Sequence, residues 1–259
     1  SGSVHLKGSS MNELQLLRYS RHLLLTEFEY DFQEKLNQAT ALVIGCGGLA
    51  NACLPILAGA GVGHLVLCDD DLIELSNLPR QLGFSEADIG QAKVFSLEKY
   101  LTARNTTIQI TAFKQQADAD FLVKQIQHCD VIIDCTDNAK TRQLINQTAV
   151  HSKTPLVSAS VIQFSGQVMV FDPRLDHSPC YACIYPNVIS EDTSCTQNGV
   201  FSPLVHLIGA AQAAETIKVL TGLGDSSVGK VTQFEGLNFE TYPLQLTKNP
   251  ACPVCGNQR

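Results

Sequence analysis

From residue 39 onward, short β-branched runs alternate with longer segments of helical spacing, and this alternation constrains the fold more than any other feature. The strand-like runs cover residues 41–46, 64–69, 108–113, 130–135 and 155–159. Helical segments separate them, one up to residue 60 and the others at 91–104, 118–128 and 138–152. Repeated strand–helix units place successive strands parallel, with helices on both faces. The sequence therefore predicts an α/β, Rossmann-like, doubly wound and mostly parallel sheet.

Beyond residue 160 the alternation stops. Residues 166–172 have strand character, and about thirty residues rich in Pro, Asp, Ser and Cys follow, from 173 to 202. A loop of this length inside a domain is usually functional. An Ala-rich helix is expected at 203–221, because Pro203 stands in its first turn and Gly222 at its end. Two antiparallel C-terminal strands, at 230–235 and 238–246, complete the predicted sheet.

The chain divides into several stretches. Residues 1–10 precede Met11 and have the character of a cloning remnant, so we expect the native chain to begin at Met11. We expect a single domain over 11–259, with an N-terminal helical arm at 11–38, a core at 39–160 and a C-terminal part at 161–259. Within the arm, residues 14–28 have the spacing of an amphipathic helix, with leucines at 17, 24 and 25.

Charge and hydropathy exclude two classes of protein. A net charge of −7 over 259 residues does not provide the broad basic surface of a nucleic-acid-binding protein. No apolar run approaches the ~18 residues of a membrane span, and no leader of the secretory type opens the chain. We therefore expect a soluble, cytoplasmic protein that binds neither nucleic acid nor membrane.

A glycine-rich turn, GCGGLA, contains Gly45, Gly47 and Gly48 and lies between the first strand and the first helix of the predicted core. Glycines there let the backbone approach a phosphate or ribose at a helix N-terminus, where the amide dipoles favour negative charge. Asp69 follows about twenty residues later, at the end of the next strand, where a carboxylate can accept hydrogen bonds from ribose hydroxyls. The motif predicts nucleotide binding and suits NAD, FAD or ATP; a tight turn without a ligand is the structural alternative.

Cations near this turn favour a triphosphate. Arg80 follows the second strand within SNLPRQ, and Lys93 stands at the start of a predicted helix. Two fixed cations suit a triphosphate better than a dinucleotide, although either one alone could be a solvated surface residue. Asp137 comes just past a central strand, at the edge where open α/β sheets bind ligands. It is therefore a candidate Mg²⁺ ligand, or the N-cap of the helix at 138–152.

Two CxxC pairs give the most specific local signal. Cys180 and Cys183 lie in the long loop, and Cys252 and Cys255 lie near the C-terminus. Four thiolates complete a closed tetrahedral zinc site, which has no open position for catalysis. We therefore expect a structural Zn²⁺ that joins the loop to the C-terminus. A thioredoxin-like redox pair is the alternative for either motif alone.

Together these residues resemble the MoeB/ThiF family of sulfur-carrier adenylyltransferases, bacterial relatives of the ubiquitin-activating enzymes. The resemblance runs from about residue 17 to residue 256 and includes Cys195 together with the segments 18–21, 45–50, 69–71, 76–81, 90–93, 134–138 and both CxxC pairs. The family implies a homodimer that binds ATP and Mg²⁺ and adenylylates the C-terminal Gly-Gly of a small ubiquitin-like carrier. Residues 39–160 would then be the nucleotide-binding core, and 161–259 the carrier-binding and zinc part.

Matching the family's motifs residue by residue gives a set of expected site residues. The resemblance implies that the ATP site is lined by Gly48, Asp69, Asn77, Arg80, Lys93 and Asp137. We add as expected cofactor-binding residues their neighbours Gly45, Gly47, Asp71, Gln81 and Asn138. It implies catalytic roles for Arg80, Lys93, Asp137, Cys195 and Arg21, the last reaching into the neighbouring subunit's site. In some relatives the cysteine matching Cys195 forms a covalent link to the carrier, and in others it is dispensable. A bystander thiol is therefore the alternative at this position.

Two departures from the family pattern affect the nucleotide site. Ala50 replaces the usual last glycine of the turn, which the general fingerprint tolerates. Pro79 stands where the family usually has Gln, next to Arg80. Because proline removes an N–H group and fixes φ, it leaves the aim of Arg80 open.

Three classes of function stay open on the sequence. The adenylyltransferase leads; an NAD- or FAD-dependent oxidoreductase and a non-enzymatic, zinc-stabilised nucleotide-binding regulator are the alternatives. Within the family, the carrier could be ThiS-like, serving thiamine biosynthesis, or MoaD-like, serving molybdopterin biosynthesis. Segments 69–71, 154–160 and 252–256 lean mildly toward the ThiF type. A sulfur-donating desulfurase is a further candidate partner.

Overall fold

Eight strands form one continuous sheet within residues 11–186 and 199–256, the part of the chain that this computed structural model describes. They are β1 (Thr40–Ile44), β2 (His64–Cys68), β3 (Gln109–Phe113), β4 (Val131–Asp134), β5 (Leu156–Ile162), β6 (Ser165–Phe171), β7 (Lys230–Glu235) and β8 (Glu240–Gln245). Their order across the sheet is β3-β2-β1-β4-β5-β6-β7-β8. The first five strands pair parallel, and β5 to β8 pair antiparallel. The predicted fold class is confirmed.

Helices cover both faces of the parallel strands. They are α1 (Glu13–Arg18), α2 (Ser20–Leu23), α3 (Tyr30–Gln38), α4 (Gly48–Ala60), α5 (Lys93–Arg104), α6 (Ala119–Ile126), α7 (Ala139–Ser152), α8 (Tyr181–Ile184) and α9 (Ser202–Thr221). On one face α4 packs on α9 and α5. On the other face α6 packs on α7. Central strands such as β4 are buried on both faces, as their continuous apolar sequences require.

The N-terminal arm differs from the expected single helix at 14–28. The helix breaks at Tyr19, which is buried. Its ring lies against Gly61, and its hydroxyl accepts a hydrogen bond of 3.1 Å from Asn105 Nδ2. Because Tyr19 is anchored in the core, the leucines on either side of it point to solvent, and Leu14, Leu17, Leu24 and Leu25 are all exposed.

Two further details refine the sequence-based expectations. The loop expected at 173–202 contains the short helix α8, which begins just after Cys180. The segment between β2 and α5 forms two 3₁₀ turns, Leu75–Asn77 and Glu86–Asp88. The subdivision into arm, core and C-terminal part stays a prediction. Among the described residues, the helices are too short or too polar for any of them to cross a membrane.

Candidate active site

The glycine-rich turn connects β1 to α4 at the point where the strand order reverses. Gly45 adopts φ +90°, and a Cβ atom there would lie 2.7 Å from the carbonyl oxygen of Cys135, just past β4. Its N–H donates to the carbonyl of Cys68 at 2.9 Å, at the end of β2. Only glycine fits this conformation and this contact, so the turn closes tightly over the carboxyl ends of three strands.

Gly47 and Gly48 form a cradle at the N-terminus of α4, which is open at Gly47 and closely packed at Gly48. A Cβ atom on Gly47, the N-cap, would meet only the side-chain nitrogen of Gln81, at 3.7 Å. One on Gly48 would lie 2.8 Å from Val205 Cγ1 and 3.5 Å from Arg80 Cγ. The absence of a Cβ on Gly48 thus lets Val205 of α9 pack against the helix start beside the Arg80 stem, and the amides exposed there favour an anion. The cradle fits a nucleotide phosphate.

The Asp69 carboxylate accepts hydrogen bonds that hold this turn in place. Its Oδ2 accepts from the backbone N–H of Cys46 at 2.6 Å, and its Oδ1 accepts from that of Asp71 at 2.7 Å. Burial raises the pKa of Asp69, and the two backbone hydrogen bonds oppose that shift. Each carboxylate oxygen retains a lone pair, so Asp69 can hold the turn and still accept from a ribose hydroxyl.

Lys93 and Asp71 form an ion pair beside the turn. Lys93 Nζ lies 2.6 Å from Asp71 Oδ2, and the Lys93 N–H donates to the Asp71 carbonyl at 3.1 Å. The lysine side chain is buried, whereas that of Asp71 is 62% exposed. The carboxylate thus balances the lysine charge while leaving it near the cradle, and an arriving phosphate can compete for it.

Pro79 has no backbone N–H, and the turn that contains it is closed by the N–H groups of the two residues that follow. The N–H groups of Arg80 and Gln81 both donate to the carbonyl of Asn77, at 3.1 and 3.0 Å. Asn77 is itself buried, and its Oδ1 accepts from Glu74 N at 2.9 Å. The Arg80 guanidinium donates to its own turn, from Nη1 to the Ser76 carbonyl at 2.8 Å. Pro79 is therefore compatible with an Arg80 that lies beside the cradle.

A buried polar network, which the sequence analysis did not find, fixes the end of β4. Asp134 Oδ2 accepts from Ser158 at 2.9 Å and from Arg142 Nη1 at 3.2 Å. Arg142 also donates to the carbonyls of Thr136 and Ala159. All of these residues are buried. The network holds the backbone that leads into the next functional residue, Asp137.

Asp137 and Asn138 divide the roles that the sequence left open. Asn138 is the N-cap of α7, because its Oδ1 accepts from Thr141 N at 2.8 Å. Asp137 is not the cap; it is exposed and makes no hydrogen bond or ion pair with the described residues. A free carboxylate at the ligand edge of the sheet suits Mg²⁺, which prefers one or two carboxylates plus phosphate oxygens.

The two CxxC pairs meet, as their spacing predicts. Cys180 Sγ lies 3.7 Å from Cys252 Sγ, and Cys183 Sγ lies 3.3 Å from Cys255 Sγ. All four sulfurs lie within 4.8 Å of one another. Sulfurs bound ~2.3 Å from a tetrahedral ion stand ~3.8 Å apart, so this four-sulfur cluster could bind zinc.

Asn146 of α7 lies directly behind this cluster. Its Nδ2 donates to Cys180 Sγ at 3.5 Å, and its Oδ1 accepts from Tyr181 N at 2.9 Å. The side chain is buried. Such partners orient metal ligands, and neither CxxC motif could have revealed one that lies 34 residues away.

One expected catalytic residue, Arg21, does not join this assembly. Arg21 is exposed on α2 and makes no hydrogen bond or ion pair with the described residues. Cys195 lies outside the described residues. The structure therefore brings together the glycine-rich turn, Asp69, Asp71, Asn77, Arg80, Gln81 and Lys93, with Asp137 and Asn138 at the same edge of the sheet.

Comparisons with known proteins agree with this arrangement. The ThiF family matches residues 19–254. The chain is 41% identical over 246 residues to the sulfur carrier protein ThiS adenylyltransferase of Escherichia coli K12, covering 95% of this chain and 97% of that protein. It is 38% identical over 248 residues to the molybdopterin-synthase adenylyltransferase of the same strain, covering 96% and 99%.

A solved structure with a similar fold is that of E. coli MccB with ATP. The TM-score is 0.80 and the identity 26%, over 93% of this chain and 75% of the other. Since the family match spans most of the chain and both curated relatives align over nearly their whole length, the chain belongs to the ThiF family.

Proposed function

We propose that this protein uses ATP to adenylylate the C-terminal carboxylate of a ubiquitin-like sulfur carrier protein, ThiS-like or MoaD-like, and releases pyrophosphate. The observation that carries the proposal is the cradle at Gly47 and Gly48, with Arg80 and Lys93 beside it, in a chain whose full-length relatives are adenylyltransferases. Gln81 adds support, because its Oε1 is buried without a partner among the described residues, next to Gly47.

The residues of the cradle bind ATP in distinct ways. The amides at the start of α4 face the phosphates, and Asp69 accepts from the ribose. Asn77 and Asp71 hold the surrounding turns, and Asn138 fixes the start of α7 behind Asp137. Beside Gly47, Gln81 offers the nucleotide an amide oxygen that has no partner among the described residues. Lys93 exchanges its contact with Asp71 for a phosphate oxygen.

The reaction needs no general base. A C-terminal carboxyl has a pKa near ~3.5, so the carrier arrives ionised at neutral pH. One carboxylate oxygen forms a bond to the α-phosphorus, and the bond from that phosphorus to the bridging oxygen of pyrophosphate breaks. The electron pair leaves with pyrophosphate, and the carrier becomes an acyl-adenylate.

Positive charge is what the reaction requires, because an anion attacks an anion. Arg80 and Lys93 are placed to neutralise the phosphates as charge develops. Asp137 would hold Mg²⁺, which supplies a Lewis acid for the phosphate oxygens. The buried network of Asp134 and Arg142 keeps the Asp137 backbone in place during this step.

Zinc would have a structural role. Cys180, Cys183, Cys252 and Cys255 would hold one Zn²⁺ per chain and link α8 to the C-terminal segment. A site closed by four protein ligands leaves no position for substrate. The nine described cysteines are free thiols, which is typical of proteins in a reducing compartment such as the cytoplasm.

We infer a homodimer in which Arg21 reaches the partner's ATP. Leu14, Leu17, Leu24 and Leu25 expose apolar side chains on both sides of Arg21, and a second copy of the chain would cover them. Cys195 remains a candidate for a covalent link to the carrier, with a bystander thiol as the alternative. A desulfurase that delivers sulfur to the acyl-adenylate is a further proposed partner.

The proposal is tested by carrier-dependent chemistry. The purified protein is incubated with ATP, Mg²⁺ and either a ThiS-like or a MoaD-like carrier, and the intact mass of the carrier and the release of pyrophosphate are measured. One carrier should gain the mass of an adenylyl group (AMP less one water), and the same carrier truncated by its last two glycines should not. Reduction of a bound nicotinamide or flavin, or nucleotide binding without turnover on either carrier, would contradict the proposal.

A further inference from the structure

The second turn of α4 carries a buried amide that joins two parts of the nucleotide site. Asn51 is 3% exposed. Its Nδ2 donates to the carbonyls of Cys46 at 3.2 Å and Gly47 at 2.9 Å, and its Oδ1 accepts from Gly83 N at 2.9 Å. One side chain therefore spans the glycine-rich turn and a segment 32 residues later in the chain.

These contacts fix the orientation of the amide. Both Nδ2 hydrogens are used by carbonyls of the glycine-rich turn, and the oxygen is used by Gly83. The carbonyl of Gly47 also accepts the backbone N–H of Asn51 at 3.0 Å, so both of its lone pairs are engaged. Flipping the amide would oppose donor to donor and acceptor to acceptor, so only one orientation satisfies all the groups.

The segment that Asn51 holds contains the nucleotide-facing residues Arg80 and Gln81. Gly83 follows Gln81 by two residues, and Phe84 N donates to the Gln81 carbonyl at 3.1 Å. The preceding turn around Pro79 closes on itself through Asn77. Among the described hydrogen bonds, the one at Gly83 is what connects this segment to the glycine-rich turn.

We propose that Asn51 is a positioning residue, which sets the spacing between the glycine-rich turn and Arg80 and thereby the width of the phosphate site. The inference rests on the proposed ATP-dependent function and adds a residue to its machinery. Asn51 need not touch the nucleotide; it acts through Arg80.

The hydrogen bond from Gly83 N to Asn51 Oδ1 requires the Gly83 backbone to lie close to Asn51. A Cβ atom there would lie 2.7 Å from Asn51 Oδ1, 3.1 Å from Leu97 and 3.4 Å from Tyr100. An added methyl would push against the oxygen of an amide group that three hydrogen bonds hold in place. Gly83→Ala therefore disrupts the Asn51–Gly83 hydrogen bond from the backbone side. Asn51→Leu keeps the side-chain volume without its polar atoms and removes the same bond from the side-chain side.

The test measures the Kd of a non-hydrolysable ATP analogue by calorimetry, together with the melting temperature. Asn51→Leu and Gly83→Ala should each raise the Kd ~10-fold, since small displacements of a charged group cost much of its contact with phosphate. In an Arg80→Ala background, each change should raise the Kd less than ~2-fold, because coupled residues are not additive. Should Asn51→Leu fail to fold, the Gly83→Ala pair of measurements decides alone.

Asn105 provides the matched control. It is fully buried, and its Nδ2 donates to the carbonyl of Ala58 at 2.8 Å, near the other end of α4. Asn105→Leu should lower the melting temperature and leave the Kd within ~2-fold of the wild type. An equal loss of affinity in Asn105→Leu, or a full Asn51→Leu effect in the Arg80→Ala background, would overturn the positioning role. Absence of analogue binding by the wild-type protein would instead overturn the proposed function itself.

Discussion

The nucleotide edge of the sheet and the four-cysteine cluster are held in place by different means. At the nucleotide edge, the side chains of Asp69, Asn51 and Asp134 each bond to backbone groups of a neighbouring turn, with the parallel sheet beneath them. The cysteine cluster has a far smaller core, in which Cys180, Cys252 and Ala182 are the buried apolar members. The first region is organised by the fold alone, whereas we propose that the second needs a metal to hold its loop and C-terminal segment together.

One helix touches both regions. The N-terminus of α7 carries Asn138 behind Asp137. Arg142 follows one turn later, and Asn146, a further turn on, contacts the cysteine cluster. A defect in the metal site could thus reach the active site through α7. Because Asp134, Ser158 and the carbonyls near Arg142 fix the helix independently, we expect such transmission to be weak.

The largest expected effect comes from Asp137→Ala at the nucleotide edge. Loss of a metal-binding carboxylate acts where charge develops, so pyrophosphate exchange should fall at least ~100-fold while binding of an ATP analogue stays measurable. Asp120→Ala, which removes an exposed carboxylate in the first turn of α6, is the control and should retain normal exchange. Near-normal exchange by Asp137→Ala would show that the metal is held elsewhere.

The second effect concerns the subunit interface. Arg21→Ala should reduce adenylylation ~100-fold, as expected for the loss of one preorganised donor to the transition state. Mixed dimers with Asp137→Ala chains should recover part of the activity, because both lesions fall in one site and the other site is intact. Arg18→Ala is the control, because Arg18 lies on the same arm but donates to the Arg104 carbonyl of its own chain. This variant should lose no activity that mixing with Asp137→Ala chains could restore. Without recovery in verified heterodimers, Arg21 does not act across the interface.

In both regions, the sequence predicted the features that depend on short local patterns. The strand–helix alternation, the glycine-rich turn and the two CxxC pairs depend on neighbouring residues, and the structure brings each of them together as expected. The structure also decides one alternative that the sequence left open: the N-cap of α7 is Asn138, since its side chain rather than that of Asp137 accepts from Thr141 N.

The polar groups that support the site could not be predicted in the same way. Gln212 donates to the carbonyl of Asp134, 78 residues earlier, and Asn51 accepts from Gly83, 32 residues later. A buried polar side chain acquires its partner only when distant segments pack together, so no periodicity or short motif encodes it. The break at Tyr19 has the same origin, because its contacts with Gly61 and Asn105 override the helical spacing of the arm.

A smaller effect is expected when the cysteine cluster is disrupted. Cys252→Ser, or removal of zinc by a chelator, should increase proteolysis of residues 246–256 at least ~10-fold, because that segment loses its anchor. Affinity for the ATP analogue should change less than ~3-fold, since the nucleotide edge keeps its own hydrogen bonds. Asn146→Leu should weaken zinc retention ~10-fold by removing the bond to Cys180, with Asn105→Leu as the control. If affinity for the ATP analogue fell as much as zinc retention, α7 would couple the two regions strongly.

The last effect is a pH dependence at the nucleotide edge. Burial raises the pKa of Asp69, so between the ordinary aspartate pKa and this raised value the folded chain binds a proton more tightly than the unfolded chain does. Stability contributed by this group therefore falls as the pH rises through that window, and it is constant above it. ATP binding follows the opposite direction, because it requires the carboxylate form.

Affinity for the ATP analogue should consequently decline as the pH falls below the raised pKa of Asp69, with a slope approaching ~10-fold per pH unit. The decline should begin at a higher pH than an exposed aspartate would give, because the buried carboxylate protonates earlier. In Asp69→Asn the amide does not titrate, so affinity should be lower at neutral pH and should lack this component of the pH dependence. The comparison of the two curves removes the titration of the analogue's own phosphate, which both share. If the two proteins lose affinity in parallel, the proton is bound elsewhere, and Asp69 holds the glycine-rich turn without contacting the ribose.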